Sequence, residues 1–315
     1  MTVDIVCATL DGGRYLDDFL RSLAAQRHAD WRLWVRDDGS TDDTVAIIEE
    51  AAASDPRVRL LHRGGPPSGP ARAFSWLLTQ LPNDAQYVMC ADQDDVWLPD
   101  KIERTLEAMR AAQDDRAGEP ILVHTDLQVV DAELKPLHPS FWQYAGLDPD
   151  ATTLRRIVVR NVVTGAAMMI NRPLLELAGP PPADAYFHDW WLACAAAAFG
   201  RIVAVRVATA LYRQHGANAV GARDASLTPA RLPAAAVAAT RARAKFRREL
   251  RASATQANAF LQQFGDRLNA DDRRFLDEYS SIPDRRLLSR KLALLRYRAI
   301  PGDGFLRTLG VVLRG

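Results

Sequence analysis

The chain has 315 residues, of which 48% are apolar and 25% charged, so it has the length to bury a core in one or two domains and is not disordered throughout. Its 40 Lys and Arg nearly cancel its 39 Asp and Glu, which excludes a strongly basic nucleic-acid binder; no nucleic-acid partner is expected. The charge is unevenly spread, however, with a balance of −9 over residues 1–225 and +10 over residues 226–315, and this suggests two parts with different work.

The first strand is expected over Val3–Ala8, a continuous apolar run of the kind covered on both faces, ending at Thr9-Leu10-Asp11-Gly12-Gly13. Tyr15, Leu16, Phe19, Leu20 and Leu23 then share one helical face. A second strand, Trp31–Arg36, stops at Asp37-Asp38-Gly39-Ser40, where Ser40 and Asp43 resemble a capping arrangement for a helix over Asp42–Ser54. A third, Val58–His62, leads into the Gly64–Gly69 loop and a helix over Ala71–Leu81. A fourth, Gln86–Ala91, ends on Asp92-Gln93-Asp94-Asp95, and Pro99 is expected in the first turn of a helix reaching Ala112. Four strand-helix units in succession predict an open α/β sheet of Rossmann-like, mainly parallel kind, with ligands bound beyond the carboxyl ends of its strands.

Beyond Gly118 the pattern mixes strands over Ile121–Val130, Ala166–Ile170 and Ile202–Tyr212 with a helix starting near Phe187. From Ser226 the sequence is rich in Ala, Arg and Leu, with helices expected over Ala235–Phe264 and Arg285–Tyr297. The three cysteines, Cys7, Cys90 and Cys194, lie far apart in apolar runs and fit reduced core thiols better than a disulfide framework or a zinc site. The most apolar run, Trp190–Phe199, has ten residues, where a membrane span needs about 20, and the N-terminus has neither a basic stretch nor a cleavage site. A cytoplasmic protein is therefore expected, with peripheral contact at the inner face of the membrane open through the basic tail.

Asp92-Gln93-Asp94 carries the sharpest chemical signal. In an extended segment residues two apart point the same way, so the two carboxylates can converge on one hard cation; the competing reading is a solvated acidic turn. At the end of the second strand, an Asp37-Asp38 carboxylate can accept from a base N–H or a ribose hydroxyl, or can simply shape a turn. The Gly64–Gly69 loop has the spacing of neither a P-loop nor a dinucleotide fingerprint.

Taken in order, Ala8–Gly13, Arg36–Asp42, Ala91–Trp97 with Pro99-Asp100, and Phe187-His188-Asp189-Trp190-Trp191 resemble glycosyltransferase family 2 with a GT-A fold. The D-Q-D-D-x-W and H-D-W-W blocks and Tyr212–Asn218 are most similar to its bacterial rhamnosyltransferase-like branch. The resemblance implies a catalytic domain over residues 1–225, and the composition of residues 226–315 adds a helical basic region that would gather the acceptor, a membrane surface or a second copy in a homo-oligomer. It implies that Thr9, Asp11, Asp38, Arg72 and Asp92 bind the nucleotide, Asp11 replacing the usual Asn. It further implies Asp92, Asp94 and His215 as ligands of Mg²⁺ or Mn²⁺, Gly165 beside donor sugar and acceptor, and Asp189 as the base that deprotonates an acceptor hydroxyl. Trp190 and Trp191 offer flat apolar faces that either meet a sugar ring or, at the start of an apolar helix, pack as core, with core expected for at least one. The activity implied is inverting transfer of a sugar, with rhamnose from a deoxythymidine-diphosphate donor as the leading candidate, to a glycan or lipid-linked acceptor. Two alternatives stand beside it, a sugar nucleotidyltransferase and a non-catalytic sugar-nucleotide or glycan-binding module in which Asp189 only caps a helix.

Overall fold

The computed structural model describes residues 1–216, 232–286, 288–289 and 292–293, apart from 115, 117, 183 and 184, with backbone alone at 232–243 and 245. The elements run β1 (Val3–Thr9), α1 (Gly13–Ala24), β2 (Trp31–Asp37), α2 (Thr44–Ser54), β3 (Val58–His62), α3 (Pro70–Thr79), β4 (Tyr87–Asp92), β5 (Val96–Trp97) and α4 (Lys101–Asp114). There follow β6 (Ile121–Val130), β7 (Pro136–His138), α5 (Phe141–Ala145), α6 (Leu154–Val159), a single 3-10 turn (Gly165–Ala167), β8 (Met168–Asn171) and α7 (Arg172–Ala178). The described chain closes with α8 (His188–Phe199), β9 (Arg201–Arg213), α9 (Leu232–Phe264), α10 (Ala270–Ser280) and a 3-10 turn.

The strands form one mixed sheet in the order β3-β2-β1-β4-β8-β6-β9-β5, with β7 paired to β6. The first four are mutually parallel, as the repeating strand-helix pattern predicts, whereas β8 enters antiparallel between β4 and β6. The chain leaves β1 for β2 on one side and returns to β4 on the other, so the two progressions diverge at β1, the kind of switch point where open sheets bind ligands. Register aligns the ends: Thr9 faces Asp37 and Ala8 faces Asp92, which puts three motif-bearing turns at one edge.

Side chains alternate between two faces of this sheet. Val3, Ile5 and Cys7 join the core beneath α1, α2 and α4, while Val6, Val88 and Cys90 join the core that continues through α3, α7 and α8 into α9 and α10. Phe260 and Phe264 of α9 close on Trp191 of α8, at ring separations of 5.4 and 5.8 Å, so apolar residues from both sides of residue 225 share one core. Trp191 is fully buried and donates its indole N–H to the Ala178 carbonyl. Trp191→Ala is expected to cost about 3–5 kcal/mol, the range for a large core truncation, read as a lower urea midpoint; a midpoint equal to the wild type would contradict this packing.

Several element edges differ from expectation for local reasons. α2 starts at Thr44 rather than Asp42, because the Asp42 carboxylate accepts from the Gly13 and Thr44 N–H groups. The expected Ser40/Asp43 cap is absent: Ser40 Oγ donates to Asp37, and Asp43 makes no side-chain capping bond. Pro99 precedes α4, its carbonyl accepting from the Arg27 N–H, and the helix begins at Lys101. The expected strand over Ala166–Ile170 opens instead as a 3-10 turn before β8. Most of the helix expected over Arg285–Tyr297, and residues 217–218 of the Tyr212–Asn218 stretch, lie outside the described residues. Among the described residues no helix is long and apolar enough to cross a membrane.

Candidate active site

The turns after β1 and β2 are stitched together by short polar side chains. Asp37 is fully buried and accepts from the Thr9 hydroxyl, the Ser40 hydroxyl and the Gly39 and Ser40 N–H groups. Burial alone would raise its pKa, but these hydrogen bonds outweigh that and hold the carboxylate below its ordinary value. Thr9, expected at the nucleotide, is thus 1% exposed and turned to Asp37. Asp11 has φ 45° and accepts from the Thr41 N–H and hydroxyl, so where an Asn is usual the carboxylate ties its turn to the next one.

Asp38 draws in the Gly64–Gly69 loop. Its carboxylate accepts from the Ser68 N–H at 2.6 Å, the Ser68 hydroxyl at 2.7 Å, the Gly69 N–H at 2.8 Å and Arg36 at 3.2 Å. The loop passes so close that a Cβ on Gly39, whose φ is already +100°, would stand 2.3 Å from the Gly65 carbonyl oxygen. α3 starts immediately after Gly69, and Arg72 in its first turn is exposed. Thr9, Asp11 and Asp38 thus make their hydrogen bonds within the protein, to neighbouring turns, whereas Arg72, in the helix that follows the loop Asp38 holds, is exposed.

The end of β4 is a concentration of negative charge. Asp92 is pushed up to about 7 by burial, by Asp94 and by Asp189, with Lys101 opposing. The influence of Asp189 on Asp92 puts the two carboxylates in one electrostatic neighbourhood although 97 positions separate them in sequence. Gln93, between Asp92 and Asp94 in sequence, hydrogen bonds both ways to the Leu10 main chain at 3.0 and 2.8 Å, extending the β1/β4 junction by a side chain. Asp95 is fully buried and accepts from the Arg213 N–H; burial first, then Asp94 and Asp92, raise its pKa.

β5 explains how His215 reaches this cluster. Val96 pairs with Leu211 and Trp97 with Ala210, and continuing this antiparallel register brings the residues before β5 beside those after Leu211. His215 Nε2 lies 2.7 Å from Asp94 Oδ2. Asp94 and His215 carry donor types, a carboxylate and an imidazole, that could together hold a divalent cation such as Mn²⁺. Among the described residues no three His, Cys, Asp or Glu side chains form a ready-made metal cage.

Asp189 stands in the first turn of α8, and its two oxygens accept from the Gly165 N–H at 3.0 Å and the Trp190 N–H at 2.6 Å. Burial raises its pKa to about 6 against these two hydrogen bonds. A Cβ on Gly165 would lie 3.0 Å from His188 Nε2, so the bare glycine lets its turn close on the start of α8. His188 is 6% exposed, stacks on Phe74 at 3.9 Å, and is lowered to about 3 by burial, so it stays neutral. Trp190 takes the core alternative: it is 9% exposed, its indole N–H donates to the Ile157 carbonyl, and its ring meets Tyr186.

Three residues gained no role from the sequence. Lys101 is fully buried, donates from Nζ to the Ala166 carbonyl at 2.9 Å, and is lowered to about 7 by burial against the pull of Asp95 and Asp92. Arg213 lies two positions before His215 in a stretch already singled out, and that nearness was the available signal. Gln93 lay inside the acidic motif, but nothing in the motif names its partner. On α9, where Arg241, Arg243, Lys245, Arg247, Arg248 and Arg251 crowd one segment, Arg247, Arg248 and Arg251 are exposed and the first three side chains are outside the described set.

A family model described as Glycosyl transferase family 2 matches residues 4–174. The dTDP-rhamnosyl transferase RfbG of Shigella flexneri is 27% identical over 222 residues, covering 68% of this chain and 73% of RfbG. The putative teichuronic acid biosynthesis glycosyltransferase TuaG of Bacillus subtilis is 31% identical over 107 residues, 34% of this chain and 41% of TuaG. In structure, residues 1–349 of S. aureus TarS in complex with UDP-GlcNAc superpose with a TM-score of 0.54 at 18% identity, over 96% of this chain and 82% of that one. The mannosyltransferase PcManGT from Pyrobaculum calidifontis in complex with GDP-Man and Mn²⁺ gives a TM-score of 0.54 at 15% identity, over 94% and 73%.

Proposed function

The chain belongs to glycosyl transferase family 2 and has the GT-A fold, and from that premise we propose that it transfers a sugar, with inversion, from a nucleoside diphosphate donor to an acceptor hydroxyl. The observation that carries this reading is the Asp189 carboxylate, held by the Gly165 and Trp190 N–H groups and sharing an electrostatic neighbourhood with Asp92 at the carboxyl edge of the sheet. The likeness to a dTDP-rhamnosyl transferase supports deoxythymidine-diphosphate rhamnose as donor. A hydroxyl on a bacterial glycan or lipid-linked saccharide is the acceptor class we propose, with TuaG's name in support.

In this reading Asp189 takes the proton of the acceptor hydroxyl as that oxygen forms a bond to the anomeric carbon. The bond from that carbon to the diphosphate oxygen breaks on the opposite face, and its electron pair leaves with the nucleoside diphosphate. Asp94 and His215, with Asp92 beside them, would hold the divalent cation. When bound, the cation neutralises charge that develops on the departing diphosphate. The rim of Thr9, Asp11 and Asp38 shapes the nucleotide side, and Arg72 supplies a cation there. The Gly165 N–H fixes the base, and Lys101, by holding the Ala166 carbonyl, steadies the turn that carries that N–H.

Nucleoside diphosphate release, followed over a panel of nucleotide sugars with Mn²⁺ and with or without saccharide acceptors, tests the assignment. Release from one donor, increased by an acceptor, is expected; binding without release from any donor would favour a binding module. The pH profile carries a second expectation. A carboxylate with its pKa at about 6 accepts a proton only when ionised, so at saturating Mn²⁺ kcat/KM is expected to fall about tenfold per unit below pH 6 and to level off above pH 7. A profile flat down to pH 4.5, about 1.5 units below that value, would argue against Asp189 as base.

A further inference from the structure

Arg213 is 3% exposed and directs its guanidinium to acceptors inside the protein. Its Nε donates to the Asp94 carbonyl at 2.8 Å, one terminal nitrogen to the Ala132 carbonyl at 2.7 Å, and the other to Asp18 at 2.8 Å. Its own N–H donates to Asp95 at 3.1 Å. The guanidinium lies over the Tyr15 ring, 4.6 Å from its centre, and the Tyr15 ring lies 4.6 Å from the His215 imidazole at 31° between planes. His215 in turn meets the Asp94 carboxylate. The contacts therefore close a circuit: from Arg213 to the Asp94 main chain, out along the Asp94 side chain to His215, across to Tyr15, and back to Arg213.

Three separate segments meet in that circuit: α1, the turn after β4, and the end of β9. A planar fork with fixed donor directions can hold all three at once, and a lysine ammonium cannot. Asp18, with its pKa lowered first by Arg21 and also by Arg213, supplies the negative partner that lets a guanidinium remain near a site meant for a cation.

We infer that Arg213 and Tyr15 are positioning residues that hold Asp94 and His215 as a preformed pair for the divalent cation. This rests on the metal-assisted reading of the site above. Two protein donors bind a cation usefully only when their orientation is fixed beforehand, and side chains behind metal ligands commonly supply that fixing.

The test is Mn²⁺ binding to the full chain with a nucleoside diphosphate present, followed by the paramagnetic resonance of free Mn²⁺, which does not depend on turnover. Arg213→Lys is expected to weaken Mn²⁺ binding by about 10- to 100-fold in the folded protein and to lower the unfolding midpoint, because buried acceptors lose their donors. Saturating Mn²⁺ is expected to bring its kcat back to within about threefold of the wild type, because the reacting groups are intact. Tyr15→Phe, which keeps the ring, is expected to bind Mn²⁺ as the wild type does, and Tyr15→Leu to bind it about tenfold more weakly. Wild-type Mn²⁺ affinity in folded Arg213→Lys, or turnover that excess Mn²⁺ does not restore, would overturn the inference. If Arg213→Lys fails to fold, wild-type affinity in Tyr15→Leu overturns it instead. Absence of Mn²⁺ binding by the wild-type chain, or unchanged binding by Asp94→Ala, would instead defeat the metal-assisted reading itself.

Discussion

Asp189→Asn is expected to lower sugar transfer by about 10²–10⁴-fold, the range for removing a positioned general base. The substitution is nearly isosteric. The asparagine oxygen can keep the hydrogen bond from the Gly165 N–H, while the new amide faces the Trp190 N–H, so one hydrogen bond worth about 1 kcal/mol is lost. Stability should therefore change little beside the rate. Because the donor is held on the diphosphate side of the cleft, the loss should fall on kcat, with the donor KM close to the wild type. Steady-state nucleoside diphosphate release with a saccharide acceptor measures both. A variant within about threefold of the wild-type kcat would show that the acceptor loses its proton elsewhere.

Asp94→Ala is expected to reduce turnover by about 10²–10³-fold, the size of effect seen when a group that stabilises developing negative charge is removed. The main-chain bond from Arg213 to the Asp94 carbonyl does not need the carboxylate, so the loop should keep its course. His215 loses its partner, and the charge that raises Asp92 falls. Chelating divalent ions from the wild type should produce a loss of the same order, and Mn²⁺ should restore the wild type but not the variant. Restoration of Asp94→Ala by Mn²⁺ at wild-type concentrations would remove Asp94 from the ligand set.

Much of this architecture could be read along the chain. β3 and β6 have the expected limits, and β1, β2 and β4 differ from theirs by a single residue at one or both ends, because continuous apolar runs ending in Asp and Gly are strong local signals. Pairing was not legible. Nothing in Met168–Asn171 says that it runs antiparallel between β4 and β6, and nothing in Val96–Trp97 says that it pairs with β9, because those choices depend on contacts far apart in sequence. The same limit holds for the site. The carboxylates of Asp92, Asp94 and Asp189 stand out as residue types in motifs, but Thr9 and Trp190 look the same in sequence whether they face a ligand or the core. Here the Thr9 hydroxyl serves Asp37 and the Trp190 indole serves Ile157. Arg213 and Lys101 were hidden for a related reason: a buried cation is recognisable only by what surrounds it.

In the proposed reaction an acceptor primed by Asp189 attacks from the face opposite a cation-held diphosphate in one displacement. The most direct measurement is the anomeric configuration of the sugar when it first leaves the donor, followed by proton magnetic resonance during slow donor hydrolysis, before mutarotation. Inversion relative to the donor is predicted, because a single attack by water in the acceptor's place must approach opposite the leaving group. Retention of the donor's configuration would require a second displacement on the sugar and would contradict transfer in a single step.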